Sequence, residues 1–389
     1  MPYYRQLGDV PAKRHTVHRG ADGERLLEEL MGTAGFAGAS SLLYHRKSPS
    51  ALLTVEAVDD GRLPLEATHP LVPVHLRTGD LPASTSTDLV RGRQVVAGND
   101  DVLITMATAT DTSPLYRNVF GDELVFIHEG QGRLDTVFGP IDVGPGDYVV
   151  VPSGTTHRWT VAGPLKALIL ETSGHLAPPA RYLTDGGQFR EHAPYCERDL
   201  RGPTAVTDAP ELAPDWPVDV LVRTRQGLTH HTYANHPFDV VGWDGCVWPY
   251  ALSIHDFEPI VGSLHQPPPV HQTFEGPGLV VCSFVPRPFD FHPDAVKIPY
   301  HHANVDSDEV LFYVDGDFMS RAGTGIGAGS LTIHPAGFIH GPQPGSWERS
   351  VDQTATNETA VMIDTFAPLL RGPVAASITD PDYATSWSG

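Results

Sequence analysis

One frame occurs twice along the chain, and it constrains the fold more than any other feature. In the first half Asn118 leads to Glu123 and Gly130; in the second, Asn304 leads to Glu309 and Gly316 at the same offsets. Further on, Gly146, Pro152, Gly154 and His157 return as Gly329, Pro335, Gly337 and His340, again with equal spacing. Repetition of this kind marks two copies of one supersecondary unit. The length of 389 residues agrees, because a single core seldom grows so large. A boundary is expected near residue 215, giving lobes 1–215 and 216–389. The stretch before it carries Pro178, Pro179, Pro194, Pro203, Pro210 and Pro214 with little alternation, as a crossing connection does.

Between these landmarks the chain reads as strand. Runs such as Val102-Leu103-Ile104-Thr105, Leu124-Val125-Phe126-Ile127, Tyr148-Val149-Val150-Val151 and Val310-Leu311-Phe312-Tyr313-Val314 are β-branched or aromatic and end in Gly, Pro, Asp or Asn. An all-β sandwich or barrel follows, with few short helices. The clearest helix candidate is Glu24–Met31, where Leu26, Leu27, Leu30 and Met31 mark one face and Gly32 stops it.

The formal net charge of −21 repels a phosphate backbone, so nucleic acid is not an expected partner. The three cysteines, Cys196, Cys246 and Cys282, form no CxxC pair, which argues against a disulfide framework or a thiolate zinc site. No apolar run approaches a membrane span, and Met1–Arg5 opens no apolar leader, so the expectation is a cytoplasmic protein without a membrane partner. Histidine stands out at 20 residues, and metal binding or acid–base chemistry is the natural suspicion.

The paired frame resembles that of the cupins, in which a hairpin carries His and Glu and a second strand pair carries the last His. The resemblance implies a bicupin, two small β-barrels or jelly rolls in tandem. In the second copy His302, Glu309 and His340 are then three ligands. Two imidazoles and a carboxylate on one face of a metal leave the other face open, as an Fe(II) oxygenase requires. From Glu309 onward Leu311 and Tyr313 share its strand face, so the carboxylate projects into the barrel, and the turn formers Asn304, Asp306, Ser307 and Asp308 reset the phase from His302. In the first copy Tyr116 stands where His302 should, so that lobe is expected to be a metal-free structural remnant.

More closely, the chain resembles the homogentisate 1,2-dioxygenase family. The resemblance begins with Arg5-Gln6-Leu7-Gly8-Asp9-Val10-Pro11, Glu28–Gly32 and Ser41–Arg46. It continues through Pro237–Trp243 and Pro249-Tyr250 and ends with His340-Gly341-Pro342. It implies Fe(II) on His302, Glu309 and His340, and an aromatic substrate cleaved with O₂, homogentisate giving maleylacetoacetate. It also implies that His271 acts on the substrate hydroxyl, that His334 lines the pocket, and that the protein is a trimer or hexamer. Read from its own chemistry, Arg287 is a candidate clamp for a substrate carboxylate, because its planar fork matches one.

The sequence departs from the family at Phe318, where better-known members place a substrate-holding tyrosine, and the His302–Glu309 spacing is one residue longer. A lost buried hydroxyl can change substrate preference strongly. A related hydroquinone, gentisate or a secondary-metabolite phenol therefore stays open as substrate, as do a non-catalytic small-molecule-binding bicupin and a cupin isomerase using Mn, Ni or Zn.

Overall fold

The structure is a computed structural model and describes residues 3–59, 61–62, 64–207, 217–298, 300–321 and 323–388. Strands dominate, in sheets of four, seven, seven, six and two strands among the described residues. The two α-helices there, Ser346–Ser350 and Ala375–Ile378, are a turn or so each. No helix among those residues is long and apolar enough to cross a membrane. The three cysteines are unpaired.

The apolar runs form strands with both faces covered, which is why they show no alternation. In Glu123–Glu129, Val125 and Ile127 pack into the interior of the first barrel with Val149, Val151, Ile169 and Trp159. Leu124 and Phe126 point the other way, into a core shared with Val281, Val310, Phe312 and Ile363 of the second sheet. The Phe126 and Phe312 rings meet edge-on at 6.4 Å, and Tyr148 Oη lies 2.9 Å from Ser283 Oγ across the same seam. Each fully buried aromatic of this kind contributes roughly 1.5–3 kcal/mol. On Asp308–Asp315 the faces divide as the sequence suggests: Val310 and Phe312 enter the shared core, while Leu311 and Tyr313 line a separate cluster inside the second barrel.

Residue 215 lies outside the described residues. Pairing runs across that point in both directions. Val218–Thr224 lies parallel to Leu115–Asn118, and Tyr250–Ser253 pairs with Asp147–Val151. In return, Val74–Arg77 closes the edge of the second sheet beside Ser330–His334, and Leu370–Arg371 joins Gln94–Gly98.

The expected helix at Glu24–Met31 is instead the strand Leu27–Gly32, with strict in/out alternation, paired antiparallel to Ser40–His45. So short a segment cannot sustain a helix alone, and sheet pairing decides its form. Its Leu30, counted toward the helical stripe, is exposed. The strand also delivers Glu29 to His45, which is 1% exposed. His45 Nδ1 lies 2.6 Å from Asp239 Oδ1, and its Nε2 lies 2.9 Å from Glu29 Oε2. Burial opposes the imidazolium, but the two carboxylates outweigh it and raise His45 to about 9.

The folded protein therefore holds a proton that the unfolded chain releases near pH 6.5. The resulting stability, on the order of 3 kcal/mol, is complete below pH 6.5 and disappears as pH rises through about 9. Urea unfolding from pH 6.5 to 9.5 should show this decline, and His45→Gln should flatten it; an equal slope in the variant would contradict the assignment.

Candidate metal centre

The duplication seen in the sequence is a duplication of hydrogen bonds. Gly154 N donates to Asn118 O at 2.7 Å, and Gly337 N donates to Asn304 O at 2.7 Å. Asp122 accepts from Ser153 N and Leu176 N, as Asp308 accepts from Ala336 N and Leu369 N. Opposite Glu123 in the ladder stands Glu171, and opposite Glu309 stands Asp364. Tyr116 faces His157 as His302 faces His340.

In the second copy the backbones of His302 and His340 exchange two hydrogen bonds of 2.8 Å, which sets their rings 4.4 Å apart. Glu309 reaches between them from the adjoining strand. Its Oε1 is 3.2 Å from His340 Nε2, and its Oε2 is 3.6 Å from His302 Nε2. One ligand atom from each of these three residues lies within 4.8 Å of the others. The donor set fits a divalent cation. His340 Nδ1 is 3.0 Å from the Phe338 carbonyl, which fixes its proton there and leaves Nε2 as the donor toward an ion. Burial disfavours the Glu309 carboxylate, yet contacts from His302, His334 and His340 hold it ionised well below the usual range. The His302 side chain is 40% exposed, so one side of the cluster opens outward.

His334 is stacked on His340 at 4.0 Å and 15°. Its Nδ1 is 3.0 Å from Glu309 Oε1 and its Nε2 is 2.8 Å from Tyr383 Oη. Burial lowers it to about 4 against the pull of Glu309. Both ring nitrogens are engaged, so the geometry suits a neutral imidazole that orients Glu309 rather than a free proton donor.

His271 ends the short 3₁₀ turn Pro268–His271 and is buried with its ring 4.7 Å from that of Phe284. Its Nδ1 has no hydrogen-bond partner among the described residues. Burial, then the nearby Arg287 charge, pushes it down to about 3, so it is a neutral base at ordinary pH. Arg287 flanks the same ring, its Cζ 5.8 Å from the Phe284 centroid. Phe284 pairs with Ala360, which pairs with Tyr313, and all three pack with Cys282, Leu311, Phe318 and Met362 on the Glu309 face of the sheet. Phe318 is buried there with φ +40°, its ring edge-on to Tyr313 at 5.0 Å.

Three residues that sequence reasoning did not single out, Asp364, Tyr383 and Trp387, lie around the centre together with Tyr313, which the sequence placed on the Glu309 face. Asp364 accepts from Asn304 Nδ2 at 3.0 Å, and burial together with the Glu309 charge lifts it to about 7. An echo announces it: Ile169-Leu170-Glu171-Thr172 and Met362-Ile363-Asp364-Thr365 both end an apolar run in an acid followed by threonine. The Tyr313 ring meets Phe318 edge-on while its hydroxyl accepts from Arg321 Nε at 3.2 Å, and Tyr383 and Trp387 come from the C-terminal 3₁₀ segment Tyr383–Ser388.

The first copy is filled differently. Arg93 Nη1 and Nη2 donate to the two oxygens of Glu123 at 2.8 and 2.9 Å, and Nη1 also reaches Glu171 at 3.0 Å. Tyr116 Oη and Asn118 Nδ2 donate to the same Glu123 oxygen at 3.0 Å. A guanidinium supplies the positive charge that the second copy leaves for an ion.

Two imidazoles and a carboxylate on facing strands, open on one side, define the class of cupin-type metal centres. Residues 32–254 match the family described as homogentisate 1,2-dioxygenase N-terminal. Across 396 aligned residues the chain is 37% identical to SSO1533 of Saccharolobus solfataricus, named only as a candidate dioxygenase, covering 100% of this chain and 99% of that one. It is 26% identical over 302 residues to homogentisate 1,2-dioxygenase of Rhodopseudomonas palustris, covering 74% of this chain and 65% of that protein. The chain belongs to the homogentisate 1,2-dioxygenase family, while spanning less than two thirds of the Rhodopseudomonas enzyme's length. Among solved structures, a cupin 2 conserved barrel domain protein from Leptotrichia buccalis aligns over 77% of this chain and 99% of that one, at 10% identity and a TM-score of 0.33.

Proposed function

We propose that the protein is a non-haem Fe(II) dioxygenase that opens the ring of a dihydroxylated aromatic acid, homogentisate to maleylacetoacetate, with both atoms of O₂ entering the product. The observation that carries this reading is the partnerless Nδ1 of a neutral, buried His271, whose ring contacts Phe284, itself packed with Leu311 and Tyr313 of the strand that carries the ligand Glu309. Fe(II) held by those three residues would supply Lewis acidity toward a phenolate oxygen and reactivity toward O₂.

The chain's own groups would do the rest. His271 Nδ1 accepts the proton of a ring hydroxyl, and the tilted contact of its ring with Phe284 helps keep the imidazole in place. Leu311, Met362 and Cys282 offer an apolar floor to the aromatic face and exclude water. Arg287, which the sequence offered as a carboxylate clamp, lies beside Phe284 with its Cζ 5.8 Å from the ring centroid. Phe318 presents a phenyl ring where a hydroxyl was expected, which favours as second reading a related hydroquinone, gentisate or a secondary-metabolite phenol.

Oxygen uptake measured across homogentisate, gentisate and unsubstituted hydroquinone separates the two readings. Fastest uptake with homogentisate, with one ring-opened product per O₂, supports the first; uptake only with the others supports the second. His271→Phe should keep the bound ion and lower turnover by about 10²–10⁴-fold. Undiminished turnover would remove His271 from the proton transfer.

A further inference from the structure

Arg321 is 5% exposed, yet among the described residues no carboxylate lies within 4.0 Å of it. Its Nε donates to Tyr313 Oη at 3.2 Å and its Nη1 to the carbonyl of Gly341, the residue after the ligand His340. The guanidinium faces the Trp387 ring at 5.7 Å, and Trp387 Nε1 donates to that same carbonyl at 3.0 Å. Its backbone is fixed by a 2.7 Å bond from Arg321 N to Phe318 O.

A buried cation surrounded only by neutral acceptors carries a desolvation cost that an anion would offset. This fold shows the paired case itself: buried Arg93 has two carboxylates, Glu123 and Glu171. Burial opposes the Arg321 charge, while Tyr313, Tyr383 and, at longer range, Glu309 favour it, and Glu309 is already shared among three imidazoles. Arg287 is only half-buried, and it lies beside Phe284 and the Val285 carbonyl, whereas Arg321 contacts the residue next to the ligand His340. Glu358 feels Arg287 before Arg321.

We infer that Arg321, beside Tyr313 and Gly341 at the edge of the metal centre, is the residue that selects a carboxylated ring by binding the substrate's carboxylate. The inference rests on the ring-cleavage reading and deepens it: Arg321 rather than Arg287 sets the preference for an aromatic acid. A planar fork with Nε and one Nη held in place presents its remaining N–H groups in a fixed direction, which suits bidentate recognition.

Two phenols that lack the second hydroxyl make the test, titrated calorimetrically under argon into protein carrying its own metal: 4-hydroxyphenylacetate and 4-methylphenol. The wild type should bind the acid more tightly by at least about tenfold, the scale of a charge-assisted hydrogen bond. In Arg321→Met that ratio should fall to near one with the metal content unchanged, and Arg287→Met should keep it. Arg321→Lys, which preserves charge and bulk if the methionine variant does not fold, should lose most of the ratio but not all. A preference retained in Arg321→Met or undiminished in Arg321→Lys overturns the inference and leaves the ring-cleavage reading standing. Wild-type protein that binds neither phenol overturns both.

Discussion

Arg93→Met will destabilise the protein by about 3–5 kcal/mol, the cost of removing one partner from a buried ion pair. The substitution keeps most of the side-chain volume, so packing changes little, but Glu123 and Glu171 are left opposite each other in the ladder with their shared cation gone. Burial alone would push Glu171 upward; Arg62 and Arg93 instead hold it down at about 2. Its contribution is therefore present above the unfolded value near 4.5 and lost as pH falls through about 2. In the variant both carboxyls should take up protons at higher pH, and acid sensitivity should move upward accordingly. Arg93→Lys will recover part of the loss, because a point charge cannot bridge both Glu123 oxygens. Chemical unfolding of the three proteins at pH 7 measures this directly, and a difference below about 1 kcal/mol between wild type and Arg93→Met would show that the guanidinium is not the internal cation of the first copy.

Glu309→Ala will abolish ion binding and, with it, oxygen consumption. The carboxylate is the hub of the centre: it touches His302, His334 and His340, and no other carboxylate belongs to the three-residue cluster. Its removal leaves His302 and His340 as two neutral ligands, and affinity should fall by more than the roughly 10–100-fold that loss of a supporting contact costs. His334→Phe, which removes only the bond that orients Glu309 and the stack on His340, should fall within that smaller range. Glu309→Ala protein that retains an ion at wild-type affinity would place the metal elsewhere.

The triad and the repeat were legible because each rests on local offsets. The same turn is made twice, from Asn118 and from Asn304, and its glycine, proline and acidic residues bond the same way in both copies. The alternation after Glu309 likewise separated Leu311 and Tyr313, which pack in one cluster, from Val310 and Phe312, which enter the shared core. What escaped depends on partners far away in the chain. Leu27–Gly32 is a strand because Ser40–His45 pairs with it, and that pairing overrides a weak helical stripe. Arg93 sits 30 residues before the carboxylate it neutralises, with no spacing rule to connect them. Arg321 and Tyr383 reach the centre through a short 3₁₀ turn and the C-terminal segment, where no periodicity points inward. Asp364 is the intermediate case, because its echo in Glu171 stands in the sequence and acquires meaning only once both residues are seen opposite a glutamate.

The ratio of bound metal to protein chains, measured after anaerobic loading with Fe(II) and removal of the excess, tests the central claim most directly. The account predicts about one ion per chain, since the second copy offers two imidazoles and a carboxylate while Arg93 occupies the first. No retained ion, or about two per chain, would contradict it.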